Sequence, residues 1–157
     1  MLSLQDALAV IREHQKEIPV QTVPLANALG FKVYRVPGWP NELSGMIRKN
    51  DDAPGGFDIY VNADHPEVRR RFTIAHEIAH AVLHPQLIGD GITDDALYRS
   101  GLSNAVEAQA NRLAADILMP RDKLKEQVAQ GITSVTALAH NFNVSEQSMA
   151  IRLGVPQ

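Results

Sequence analysis

Residues 76–80 of this 157-residue chain read His-Glu-Ile-Ala-His, two imidazoles four positions apart with a carboxylate directly after the first. Residues four apart on an α-helix lie about 6 Å apart along the axis and about 40° apart around it. Both rings can therefore converge on one metal ion, which is why the H-E-x-x-H pattern binds metal. Glu77 is rotated away from that pair and is a poor third ligand. It can reach a water on the open side of the ion, act as general base, and hand the proton on to a leaving group. The chemistry in view is hydrolysis at a zinc ion that lowers the pKa of its water toward neutrality. Two histidines and a glutamate at fixed positions arise by chance in about one chain in a few hundred of this length. The plainer alternative is a pair of histidines on a satisfied helix face. The surroundings favour chemistry: Phe72, Ala75, Ala79 and Val82 recur at helical spacing. That stripe predicts a helix packed on a core with its histidines facing a cleft.

A catalytic zinc takes three protein ligands and keeps one open position. The chain has no cysteine, so the third ligand is a histidine or a carboxylate. His84 follows His80 by four residues, but it lies about 12 Å from His76 along a straight helix, at about 80° of rotation. One ion cannot bridge that distance, and a hydrogen-bonding role at the helix end suits His84 better. Glu107 is the better candidate, although a glutamate in a first helical turn is often only a complement to the helix dipole. It opens a segment in which Ala108, Ala110, Ala114 and Ala115 make a slim helix able to approach the histidines closely. Asn111 lies one turn further on the same face, where it can orient a ligand.

Several elements must position these groups. Residues 4–16 predict a helix capped by Ser3, and residues 24–29 a second one stopped by Gly30. Phe31–Tyr34 reads as a strand. Gly45–Arg48 and Phe57–Val61 read as a β-hairpin around the turn-rich NDDAPGG. The His-bearing helix runs from Pro66 to about His84, where Pro85 closes it. Residues 86–102, with the acidic stretch Asp90–Asp95, read mostly as a solvated loop. Ser103 or Asn104 caps a helix to about Met119, another follows Pro120, and two short helices span about 134–142 and 145–153. The expected class is α+β, a small antiparallel sheet packed on the active-site helix with a mainly helical C-terminal half. The expected organisation is one domain over residues 1–157, with residues 134–153 as a helix-turn-helix-like corner inside it.

Composition excludes little but sets defaults. The chain is 45% hydrophobic and 21% charged with a net charge of −3, so it can form a core and shows no electrostatic footprint for nucleic acid. Arg69, Arg70 and Arg71 form one short basic run, read as a solvated helix face. The start, MLSLQDALAVIREHQKE, is charged by residue 6 and is not a signal peptide. No stretch approaches the roughly 20 apolar residues of a membrane span. A soluble cytoplasmic protein is the expectation. The corner at 134–153 has the outline of a DNA-binding module, yet its second helix, SEQSMAIRL, carries Arg152 as its one cation. The simpler reading is that Leu138, Phe142, Val144, Met149 and Leu153 form a corner of the core and present a docking surface for a protein partner.

With these residues in hand, RFTIAHEIAHAVLH (71–84) followed by EAQANRLAADILMP (107–120) resembles the ImmA/IrrE metallopeptidase family. The strands SGMIRKN and FDIYVNA and the closing LAHNFNVSEQSMAIRLGV are similar to that family too, so the resemblance runs from about residue 18 to the end. Three ordered blocks together are far more specific than the five-residue pattern alone. The resemblance implies a zincin-like fold, Zn2+ held by His76, His80 and Glu107, and Glu77 as catalytic carboxylate. It implies a metallo-endopeptidase acting on a helix-turn-helix (Xre-type) repressor or antitoxin. It also implies that the additional C-terminal domain of the longer stress-response members is lacking. The alternatives are a toxin or repressor-binding partner whose zinc site is not catalytic, and a zinc hydrolase of non-peptide amides. A donor for the tetrahedral oxyanion is expected from Tyr98, Tyr60 or His84. An extended substrate is expected along the hairpin near Phe57–Val61.

Overall fold

The computed structural model describes residues 2–89, 92–95 and 102–156. The chain opens with α1 (Leu4–His14), whose Ser3 hydroxyl accepts from the Asp6 amide at 3.1 Å, and α2 (Thr22–Ala28). Gly30 ends α2 at φ +87°, and a Cβ there would stand 2.4 Å from the Gly55 nitrogen. Both facts require glycine. The contact docks the loop between the hairpin strands onto the end of α2, where the Gly55 amide donates to the Gly30 carbonyl at 2.8 Å.

Four strands follow: β1 (Lys32–Val36), β2 (Leu43–Lys49), β3 (Phe57–Asn62) and β4 (Ile92–Asp95), in the sheet order β1-β3-β2-β4. The hairpin β2–β3 is antiparallel with Ile47 opposite Ile59, and β4 pairs antiparallel with the outer side of β2. β1 runs parallel to β3, so the sheet is mixed rather than purely antiparallel. Alternation along a strand is the same for either direction, and the sequence pattern therefore carries no sign of it. Two further expectations change here. Residues 92–95 are a strand, not loop. β3 is an inner strand bonded on both sides, so it has no free edge to receive a substrate; β1 and β4 are the edges among the described residues.

The sheet packs on α3 (Glu67–Leu83) through Ile47, Ile59 and Val61, which join Ile74 and Ile78 in one buried cluster. α3 is not a surface helix with a single apolar stripe. Every residue from Thr73 to Ala81 is buried, because the sheet, α2 and α4 (Asn104–Leu118) surround it. Ala110 and Ala114 of α4 are fully buried, as the slim-helix reading requires. The remaining helices are α5 (Arg121–Ala129), α6 (Val135–Phe142) and α7 (Glu146–Leu153). Asn143 turns α6 into α7 at φ +54°. Leu138, Phe142 and Met149 are fully buried there, and Val144 nearly so. No described helix is long and apolar enough to cross a membrane.

The arginine run is a solvated face only in part: Arg69 is exposed, Arg70 half-buried and Arg71 turned inward. Arg69 reaches the Ser44 hydroxyl, Arg70 donates to the His65 carbonyl at 2.6 Å, and Arg71 is buried. Arg71 donates to the carbonyls of Val20, Phe142 and Asn143, binding α3 to the α6–α7 turn. Burial lowers its pKa, while the charge of Glu67 opposes the shift. Arg71→Met leaves those carbonyls unsatisfied and is expected to destabilise the fold by about 2–4 kcal/mol. Urea unfolding checks it, with Arg69→Ala as a reference expected within about 0.5 kcal/mol of the parent.

Candidate metal centre

α3 delivers His76 and His80 one turn apart, their ring centroids 4.5 Å apart and nearly perpendicular. Glu107 enters from the first turn of α4, which Ser103 caps by accepting from the Val106 amide. The small residues between the helices allow this approach: Ala75, Ala79, Ala110 and Ala114 are all fully buried. One Glu107 oxygen lies 3.1 Å from His76 Nε2 and the other 3.3 Å from His80 Nε2. One ligand atom from each of these three residues falls within 4.8 Å of the others.

His76 Nδ1 stands 2.8 Å from Asn111 Oδ1. An amide oxygen only accepts, so Nδ1 carries the proton. In neutral His76 this turns the bare lone pair of Nε2 toward a carboxylate oxygen. A cation between them, a proton or a metal ion, relieves that repulsion. The two imidazole nitrogens and one carboxylate therefore fit a borderline divalent ion such as zinc, with Asn111 selecting the tautomer that offers Nε2. Burial alone raises the Glu107 pKa, but hydrogen bonds and charge from His76 and His80 outweigh it and hold the carboxyl well below the usual range. Asn111→Ala is expected to weaken zinc affinity about 10–100-fold with little change in fold stability. Competition titration against a zinc-binding dye checks it, and unchanged affinity would remove Asn111 from the site.

Glu77 is completely buried. Sequence reasoning missed its neighbour on the sheet. Gly45 of β2 lies against it: a Cβ at Gly45 would stand 2.5 Å from Thr73 Cγ2 and 3.5 Å from a Glu77 oxygen. The strand can pass this close to α3 only as glycine. A glycine inside a strand is itself a signal of close backbone approach.

The expected oxyanion donors fare differently. Gly45 faces α3 and pairs with Val61, so Tyr60, the next residue along β3, points to the opposite face of the sheet. It stacks there on Tyr34 at 5.1 Å and is not brought to the site. His84 is buried at the end of α3, its Nε2 2.8 Å from Gln109 Oε1, which ties α3 to α4. It lies outside the three-residue cluster. Tyr98 lies outside the described residues.

Comparisons with known proteins bear on the family and the fold. The family model described as the IrrE N-terminal-like domain matches residues 29–154. The radiation response metalloprotease IrrE of Deinococcus radiodurans is 34% identical over 106 residues, 63% of this chain and 32% of that protein. A Mycobacterium tuberculosis transcriptional regulator of known structure superposes with a TM-score of 0.64 over 96% of this chain and 47% of its own, at 20% identity. That likeness concerns the fold. The chain spans about a third of the curated relative and about half of the solved structure. The match covers the sheet, the His-bearing helix and the Glu-bearing helix in order, and the chain belongs to the ImmA/IrrE family, described as the IrrE N-terminal-like domain.

Proposed function

We propose that the chain is a zinc-dependent endopeptidase of the H-E-x-x-H plus glutamate type, with a zincin-like active site. The observation that carries this is Glu107 from one helix meeting His76 and His80 from another, with buried Glu77 in the same turn as His76. His76, His80 and Glu107 would hold the ion, and Asn111 orients His76. When bound, zinc supplies Lewis acidity that acidifies water and polarises a carbonyl. Glu77 removes the proton from the attacking water as its oxygen bonds to the peptide carbon. It then gives that proton to the departing amide nitrogen as the carbon–nitrogen bond breaks. Full burial against β2 keeps the Glu77 carboxylate fixed, so little reorganisation accompanies proton transfer.

The proposed substrate is a cytoplasmic helix-turn-helix repressor or antitoxin, a reading supported by the family resemblance. The helix-turn-helix-like corner of this chain is not offered to DNA. The cation of its second helix, Arg152, is spent on Asp116 and on the Met119 carbonyl. The test is hydrolysis of an unfolded protein and of candidate repressors by the zinc-loaded chain, compared with Glu77→Gln. Cleavage insensitive to that substitution would sink the reading.

A further inference from the structure

A groove of about 630 Å³ lies between α4, the start of α5 and α7. It adjoins the metal centre: Asn111, which bonds His76, lines it, and so does Phe72, one turn before His76 on α3. Met119, buried, and Ile151, 63% exposed, add apolar surface. Ile151 puts an apolar side chain at the groove wall within reach of a bound segment. Two cations stand beside it. Arg112 and Arg121 are exposed, and neither makes a hydrogen bond or ion pair among the described residues. Asp116, the acid in the lining, is neutralised by Arg152 at 2.7 Å. The same Arg152 donates to the Met119 carbonyl, so it fixes α7 against the end of α4 and holds the groove open in one shape. A chain with net charge −3 thus presents a local excess of positive charge beside an apolar trough.

We propose that this groove binds an acidic segment of the protein substrate, flanking the bond to be cut. Its Asp and Glu side chains meet Arg112 and Arg121, and a bulky apolar side chain packs against Phe72 and Ile151. The proposal rests on the peptidase reading for the word substrate, but not for the binding itself. Charge complementarity of this kind selects partners and speeds encounter, and the apolar anchor supplies residence.

The test is equilibrium binding, by fluorescence anisotropy, to the zinc-loaded Glu77→Gln chain, in which cleavage does not consume the probe. The probes are a labelled peptide of alternating Glu and Leu and its counterpart with Lys for Glu. The acidic peptide is expected to bind at least about tenfold tighter, and to weaken as salt rises from about 0.05 to 0.5 M. Arg112→Glu with Arg121→Glu is expected to weaken it tenfold or more, and Ile151→Asp similarly. Arg48→Glu, on the exposed part of β2, is expected to leave it unchanged. Thermal melting establishes that each variant is folded. Equal binding of both peptides, or indifference to the groove variants, would overturn the proposal. So would a dimer dispersed by Ile151→Asp in sedimentation, which assigns the groove to a second copy. No hydrolysis of any peptide or protein by the zinc-loaded parent chain, with peptide binding to the groove intact, would instead count against the peptidase reading alone.

Discussion

Glu77→Gln is expected to reduce peptide hydrolysis about a thousandfold while zinc content stays at one ion per chain. The side chain is isosteric and fully buried, so the substitution changes its chemistry and little else. A carboxylate can take a proton from water and release it to a leaving amine; an amide can do neither at neutral pH. General acid–base groups contribute about 10²–10⁴-fold, and here one group serves both proton transfers. The proposed metal donors His76, His80 and Glu107 are untouched, so metal analysis separates loss of the base from loss of the ion. A Glu77→Gln chain that hydrolyses peptides as well as its parent would remove Glu77 from the chemistry. If that variant also retained the biological effect, the chain would be a binding partner rather than a peptidase.

Glu107→Ala is expected to lower zinc affinity more than about a hundredfold, beyond the roughly 10–100-fold that outer hydrogen-bond partners are worth. Dialysis followed by elemental analysis should then find about one zinc in the parent and almost none in the variant. The carboxylate spans both histidines in the structure, so its loss removes a donor and also the only charge that balances the ion among the three groups. Zinc retained in the variant would keep the two histidines and send the search to another third donor. The metal-free protein offers a second readout. His76 and His80 hold the Glu107 carboxyl below its usual range. A carboxyl whose folded-state pKa is depressed adds stability that is fully present above its unfolded value, about 4.3, and lost as pH falls through the folded one. The metal-free parent should therefore lose urea resistance below about pH 4 more steeply than Glu107→Ala.

Much of the site was legible because its parts are local. His76, Glu77 and His80 share one turn of helix, so spacing alone states their relation. Glu107 is 27 positions from His80, and composition alone left it a candidate beside a plain dipole role. The alanines at 110 and 114 were the physical hint that its helix could come close. Asn111 was readable once Glu107 was placed, one turn away. His84 was readable as a non-ligand from helix geometry.

What stayed hidden depends on which surfaces meet. The sequence by itself determined the helices, the hairpin, the H-E-x-x-H turn and the caps at Ser3 and Ser103, since each follows from periodicity or from hydrogen bonds a few residues long. Tertiary structure alone decided the parallel pairing of β1 with β3, the inner position of β3, and the facing of Tyr60 away from the metal centre. It alone turned Arg71 inward to carbonyls 51 and 72 residues distant in sequence, and brought Gly45 against Glu77. The physical reason is that strand alternation fixes two faces but not strand order, direction or which face is covered. Those are settled only when the sheet, α3 and α4 bury their apolar surfaces together.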